Sequence, residues 1–521
     1  MFLGDFIRRA ADSWPDREAV VDVSRGPRGR FTYRQLDRRA GALAAWLRGR
    51  GVGRGDRVGL LCHNGVEYLD ALFACAKLGA IFTPYSWRLH ARELAELLRK
   101  TSPRALLYGP EHAGTAVALA QEERGLQLLA AEEADALPPP RSAPAPPEKM
   151  GEEDTLCLLF TGGTTGLPKG ARISYRMVAW NALNVLVHEA RAGDCTITHT
   201  PMFHTGGLLV YTLPLLICGG RVVIMRRWSA SEMLQLVARE RPDFFFAVPT
   251  QYQQLLDEPG LAATDFSSVR FVTSGGAPLP VPLLRAFRAV KPLPFKQGFG
   301  MTEFGPGLFS MGPEQAEPKS GSIGRPNAFV EARLAREDGK AAGPGEIGEL
   351  LLRGPCGFSG YFGEPPPQEV DTQGWFHTGD LARVDEDGYY FIVGRKKDMF
   401  ISGGENVYPL EVEQALQAHP GVQAAAVIGF PDPTWGEAGR AYVVLRPGAA
   451  ATEEALLAHL RERLARFKIP KLIRFIPELP ISAAGKVLKG ELHERERALE
   501  EAIQVPAAPP APAGPEVGPR A

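Results

Sequence analysis

The chain has 521 residues and a formal net charge of -1 at pH 7, from 59 basic and 60 acidic side chains. That length exceeds a single ordinary hydrophobic core, so two or more domains are expected. With 45% hydrophobic and 23% charged residues the composition is that of a soluble globular protein, and the even charge balance argues against a broad nucleic-acid-binding surface.

The N-terminus, MFLGDFIRRAADSWPD, lacks the basic, apolar and small-residue regions of a signal peptide, so a cytoplasmic location is expected. Leu36, Ala40, Leu43, Ala44 and Leu47 repeat at helical spacing and run into a glycine, after which DRVGLLC reads as a buried strand. Helix then strand recurs in DALFACAKLGA followed by IFTPY, and in SASEMLQLVARERP followed by DFFFAVP. Such alternation predicts parallel-type sheets covered by helices, an α/β body. Between Leu137 and Lys149, LPPPRSAPAPPEK is too proline-rich for a helix or central strand and reads as a connector ahead of the strand-like TLCLLF. The longest apolar run, LLVYTLPLLIC, is interrupted by Pro214 and is too short for the roughly 20 residues of a membrane span, so no integral membrane segment is expected.

From about Gly321 the pattern changes to short strands around Asp-Gly turns, in ARLAREDGK and ARVDEDGYYFIVG, which predicts a small antiparallel or barrel-like subdomain. After Gly394, RKKD leads into FISGGENVYPLEVEQALQAHPGV, and the strands and amphipathic helices beyond it form a compact α+β unit. The expected organisation is a large body over 1–394, a small mobile lid over 395–498 and a Pro/Ala-rich disordered tail over 499–521. The six cysteines form no C-x-x-C pair and read as free thiols in a reducing compartment; the histidines form no H-E-x-x-H cluster, so protein-ligated zinc is not expected.

FTGGTTGLPKG at 160–170 packs glycines, threonines and Lys169 into eleven residues, a composition suited to an anion because glycine lets backbone N–H groups converge while hydroxyls and an ammonium add donors. It is not a Walker loop: Leu167 and Pro168 separate Gly166 from the lysine, and Gly170 stands where that loop needs Ser or Thr.

Together with PMFHTGG at 201–207, TSGGAPLP at 273–280, GFGMTE at 298–303, GELLLRGP at 348–355, WFHTGD at 375–380, GRKKDMFISGGENVYPLEVE at 394–413 and AAGKVLK at 483–489, this loop resembles the ordered motif set of the acyl-adenylate-forming (AMP-binding) superfamily, which includes acyl-CoA synthetases. The resemblance runs from about residue 10 to residue 492. It implies an enzyme that joins a carboxylate to the α-phosphate of ATP, releases pyrophosphate and passes the acyl group to a thiol, with ATP, Mg2+ and CoA as cofactor and co-substrates. Two anions meet in the first step, so positioned donors and a cation are needed to stabilise the charge.

The resemblance also implies residue roles. Thr161, Gly162, Gly163, Thr164, Thr165, Gly166 and Lys169 would hold the ATP phosphates, Gly162 being a departure from relatives with Ser or Thr there. Glu303, helped by Thr161, would bind magnesium, and Thr302 would contact the α-phosphate. Adenine would lie between Gly275, Gly276 and Ala277 and the segment Gly298, Phe299 and Gly300, with Phe299 as a stacking face. Asp380 and Arg395 would bind ribose, and Lys486 would bridge carboxylate and α-phosphate from the lid. Lys397 would be the hinge, and Gly403 and Gly404 would approach the pantetheine arm of CoA.

His204, Thr205, Gly206 and Gly207 would form the entrance to the acyl pocket, and the aliphatic residues after them favour an apolar acid. The first expectation is a medium- or long-chain fatty acid, with an aryl or other carboxylic acid as the alternative. A carrier-protein thiol acceptor and a catalytically inactive nucleotide-binding regulator are the remaining readings. The partners expected are small molecules, with no nucleic acid, and a homodimer is compatible with the chain.

Overall fold

The computed structural model describes residues 5–123, 125–139, 150–161, 168–188, 190–481 and 487–504. It divides into two compact units, Met1–Lys397 and Asp398–Ala521, three residues beyond the division at 394/395 read from the sequence.

In chain order the first unit contributes β1 (Glu18–Asp22), β2 (Arg30–Thr32), β3 (Arg57–Leu61), β4 (Ile81–Pro84), β5 (Ala105–Tyr108), β6 (Gln127–Ala130), β7 (Thr155–Thr161), β8 (Lys169–Ser174), β9 (Cys195–Thr198) and β10 (Arg221–Ile224). Next come β11 (Phe244–Ala247), β12 (Phe271–Ser274), β13 (Phe295–Met301), β14 (Gly305–Met311), β15 (Arg325–Pro326), β16 (Glu331–Ala335), β17 (Ile347–Arg353), β18 (Phe376–Val384) and β19 (Tyr390–Arg395). One sheet runs β15-β14-β13-β12-β11-β9-β10-β1-β2, a second β6-β5-β3-β4-β7-β8 and a third β16-β17-β18-β19. The interiors of the first two sheets are parallel, as the alternation predicts, while β2, β8, β14 and β15 pair antiparallel at their edges and the third sheet is antiparallel throughout.

Helix Tyr33–Arg48 begins in a capping box: Thr32 Oγ1 accepts from Gln35 N–H at 3.3 Å and Gln35 Oε1 accepts from Thr32 N–H at 2.8 Å. Its apolar stripe is fully buried. Helix Val66–Leu78 is buried along its whole length, and its three charged residues, Glu67, Asp70 and Lys77, are each paired with an opposite charge, Arg25, Arg39 and Asp37. The core around these helices takes side chains from both large sheets, Val20, Val222 and Phe244 from one and Val58, Leu60, Phe82 and Leu159 from the other. All six cysteines are free thiols, five of them buried.

In the second unit, β20 (Phe400–Ser402) and β21 (Glu405–Val407) form a hairpin, and β22 (Val422–Asp432), β23 (Gly436–Leu445) and β24 (Leu472–Phe475) extend the same sheet. Helices Pro409–Gln417 and Glu453–Arg461 cover a core of Phe400, Val412, Leu416, Val427, Val443, Leu456 and Leu460. Among the described residues no helix is long and apolar enough to cross a membrane.

One side chain ties the loops of the two large sheets together. Asn64, 3% exposed at the end of β3, donates from Nδ2 to Thr200 O and accepts at Oδ1 from Met202 N–H, both at 2.9 Å. Asn64→Ala leaves a buried carbonyl and a buried amide unpaired, so unfolding free energy should fall by about 2–4 kcal/mol. Chemical denaturation measures this directly, and an unchanged midpoint would exclude the clamp.

Candidate active site

The site grows from strand register. Ala247, Ser274 and Gln297 stand abreast in β11, β12 and β13, and β9 lies on the other side of β11. Because these strands are parallel, the segments at their carboxyl ends open on one side of the sheet, where open α/β sheets form ligand crevices. Those segments are PMFHTGG after β9, Ser274–Ala277 after β12 and the end of β13 with Thr302 and Glu303. Residues a hundred positions apart in sequence become neighbours by this pairing.

Between them is a cavity of about 110 Å3. Gly275, Gly276, Gly298 and Gly300 line it together with His204, Thr205 and Gly206, so two groups expected separately share one space. Phe246 and Tyr211 supply aromatic wall, and Val185 and Val210 aliphatic wall. Gly207 lines a smaller adjoining space with Gly206 and Thr212; a Cβ on it would stand 2.4 Å from Pro201 O, so the loop can fold back this tightly only with glycine. His204 caps the short helix Thr205–Leu208, its Nδ1 accepting from Gly206 N–H at 3.1 Å.

Phe299 is not among the residues that line the cavity. Strand alternation turns it away from the side used by Gly298 and Gly300, and it packs edge-on against Phe309 with ring centroids 5.9 Å apart. Phe309, its direct partner in β14, shares that face, and both rings join one apolar cluster beside the cavity. Ala277 is exposed in the turn beyond Gly276. Next to the cavity, Ser274 Oγ and Gln297 Nε2 are buried and have no hydrogen-bond partner among the described residues, an unmet polar demand that suits a hydrogen-bonding ligand.

Thr161 ends β7 and Lys169 begins β8; the two residues pair directly, and Thr161 Oγ1 donates to Lys169 O at 3.4 Å. The glycine-rich loop thus joins two antiparallel strands, whereas a Walker loop runs from a strand into a helix, and this explains why its spacing differs. Gly162, Gly163, Thr164, Thr165 and Gly166 lie outside the described residues, as does Lys486. Thr302, 8% exposed, and Glu303 form the turn between β13 and β14.

A residue that the sequence reading passed over connects these parts. Tyr361 donates from its hydroxyl to Glu303 Oε1 at 2.9 Å, and Lys169 Nζ is 5.0 Å from the centre of its ring. Nothing in GFSGYFGEP marks this tyrosine, because Glu303 is 58 positions away and Lys169 belongs to another sheet.

Asp380 and Arg395 are direct partners in β18 and β19, with Arg395 Nε 2.8 Å from Asp380 Oδ1. The aspartate is 4% exposed and the arginine 41% at its side chain, so the pair has a buried anion and a reachable cation. Lys396 Nζ is 3.1 Å from Glu349 Oε2, and Lys397 is the last residue of the first unit. In the second unit Gly403 and Gly404 form the two-residue turn between β20 and β21 with φ of +61° and +86°, values that favour glycine at both positions.

Two buried histidines underlie the loop after β9. His199 lies against Trp228 and donates from Nε2 to Phe246 O at 2.8 Å, while Gln251 Nε2 approaches its Nδ1 at 3.4 Å, a pattern that fixes the neutral tautomer; burial lowers its pKa to about 4. His63 lies tilted against Trp87 with ring centroids 4.3 Å apart, and Trp87 meets Phe203 of the PMFHTGG segment edge-on. Neither ring nitrogen of His63 has a hydrogen-bond partner among the described residues, and burial, then the Arg227 charge, lowers its pKa to about 4.

The chain matches the family model described as AMP-binding enzyme over residues 7–362 and that described as AMP-binding enzyme C-terminal domain over residues 411–486. It belongs to the AMP-binding enzyme family. Within it the protein is an acid–thiol ligase. It is 42% identical over 491 residues to a feruloyl-CoA synthase of Amycolatopsis sp, covering 93% of this chain and 98% of that protein. With an indoleacetate–CoA ligase of Aromatoleum aromaticum it shares 35% identity over 508 residues, or 95% of this chain and 98% of that one. Among solved structures, ATP-bound MatB from Rhodopseudomonas palustris superposes with a TM-score of 0.86 at 31% identity, covering 95% of this chain and 99% of the other.

The His63 environment gives a pH prediction. Its pKa is about 4 when folded and about 6.5 when unfolded. Between those values the unfolded chain binds more protons, so this group's contribution to stability is full above pH 6.5 and is lost as pH falls toward 4. His63→Phe should keep the packing and flatten the fall in melting temperature between pH 6.5 and 4. Parallel curves for variant and wild type would show that the histidine contributes nothing to acid sensitivity.

Proposed function

We propose that this ligase is an ATP-dependent aryl-CoA synthetase, which adenylates an aromatic carboxylic acid and then transfers the acyl group to CoA. The observation that carries the reading is the single cavity shared by His204–Gly206, Gly275–Gly276, Gly298 and Gly300, with Phe246 and Tyr211 in its wall. Aromatic walls suit a planar ring, and edge or face contacts with it add to burial. The likeness to proteins named for feruloyl-CoA and indoleacetate supports the same choice. The fatty acid expected first from the aliphatic residues after His204 becomes the second reading, supported by 34% identity over 499 residues to a long-chain-fatty-acid–CoA ligase of Mycobacterium tuberculosis.

In this proposal the adenosine lies along Gly275, Gly276, Gly298 and Gly300, where Ser274 and Gln297 supply unmet hydrogen-bonding groups. Asp380 accepts from the ribose hydroxyls and Arg395 donates to the same sugar. Thr161, Lys169 and the loop between them hold the pyrophosphate end of ATP, and Thr302 faces the α-phosphate. The oxygens of Thr161 and Glu303 are hard donors that fit magnesium, whose charge would offset that of the phosphates. His204 lies beside the acid carboxylate, which attacks the α-phosphorus as the bond to pyrophosphate breaks. Lys486 bridges the two reacting anions from the second unit. Rotation about Lys397 then withdraws it and brings Gly403 and Gly404 to the pantetheine arm, so that the thiol of CoA attacks the acyl carbonyl and AMP leaves.

The test is mass-spectrometric detection of AMP and acyl-CoA from ATP, magnesium, CoA and a panel of hydroxycinnamic, arylacetic, benzoic and straight-chain fatty acids. Aryl-CoA products should predominate; fatty acyl-CoA alone would replace this reading with the second. Acyl-AMP without acyl-CoA would point to a carrier-protein thiol, and no AMP across the panel would favour the inactive regulator.

Lys486→Ala should slow adenylation by about 10²–10³, the size of losing one positioned charge-stabilising donor. It should leave transfer from supplied acyl-AMP to CoA close to wild type. Equal damage to both half-reactions, followed separately by pyrophosphate release and thioester formation, would refute the bridging role.

A further inference from the structure

The segment 358–362 connects two sheets that otherwise carry the phosphate-side residues separately. Its backbone is laced to β8: Arg172 N–H donates to Gly360 O at 2.9 Å, Ser359 N–H to Arg172 O at 3.1 Å and Phe362 N–H to Gly170 O at 2.8 Å. Its other attachment is to the turn after β13, where Phe358 N–H donates to Glu303 O at 2.8 Å. Lys169 and Glu303 are thereby fixed against one short strap. The strap directs one side chain between them.

From this geometry we infer that Tyr361 is a positioning residue for the metal–nucleotide site: its hydroxyl sets the Glu303 carboxylate, and its ring sets the Lys169 ammonium and keeps the two charges from closing on each other. A glutamate in a turn has several rotatable bonds and loses orientation unless something holds it. The 2.9 Å bond from the tyrosine hydroxyl to Oε1 supplies that hold. Lys169 Nζ, 5.0 Å from the ring centre, is within reach of a cation–π attraction, and among the described residues the lysine makes no ion pair within 4.0 Å. Without the ring, opposite charges brought together by the same strap could pair directly and neither would be presented to a ligand.

The inference rests on the nucleotide-binding reading above, and the test separates the two. Thermal stabilisation of the full chain by ATP is measured as magnesium is titrated, alongside the magnesium dependence of turnover with the best acid. Tyr361→Phe retains the ring and removes the hydroxyl. The magnesium concentration for half-maximal stabilisation should rise about tenfold or more, the size of losing a hydrogen bond to a charged group, while KM for the acid stays at wild type. Tyr361→Leu, which also removes the cation–π contact, should raise KM for ATP further, and Phe should restore that part. Superimposable magnesium curves for wild type and Tyr361→Phe would overturn the positioning role. Should the Phe variant shift the magnesium curve in a protein that forms no acyl-CoA, the role stands and the ligase substrate reading falls. Absence of any ATP and magnesium stabilisation in wild type would overturn both.

Discussion

The constraint on which the site depends is the parallel pairing of β9, β11, β12 and β13. Parallel strands end on the same side of a sheet, and their backbone hydrogen bonds fix how far each extends. Ala247, Ser274 and Gln297 come level, so the segments that follow cannot be displaced without moving a strand register. A slip of one residue would also send core side chains to the wrong face. The cavity is therefore specified by the same interactions that specify the fold.

The edges of the sheets do different work. At β7 and β8 the chain reverses, so the glycine-rich loop is suspended between antiparallel strands and both its first threonine and its lysine are held by ladder pairing. At β13 and β14 a second reversal presents Thr302 and Glu303. These reversals lie in separate sheets. The strap through Tyr361 and the clamp through Asn64 relate one sheet's loops to the other's by a few buried hydrogen bonds. Such bonds add little to global stability individually, but a buried donor or acceptor left unpaired is costly, so alternative loop positions are disfavoured.

Below the PMFHTGG segment lies an aromatic-rich layer. His63 and His199 are both kept uncharged by burial, and each packs on a tryptophan. The fixed charges named in the proposed reaction, Lys169, Glu303, Asp380 and Arg395, come from strands or from the turn between strands, where the backbone is well supported.

By itself the sequence determined the α/β body, the antiparallel region beyond Gly321, the compact α+β unit at the end and the family membership, because periodicity, turn chemistry and ordered motifs are local signals. It also picked out most of the glycines around the cavity, since glycine is required where backbones approach closely. Tertiary structure alone decided which motifs share one space. It put His204 and Gly275 in one cavity, turned Phe299 away from it through the alternation of its strand, and gave Phe246 and Tyr211 to the walls. Tyr361 and Asn64 were silent in sequence for the same reason. Their partners lie 58 and more than 130 positions away, and contacts of that range follow from strand order and register, which no local pattern encodes.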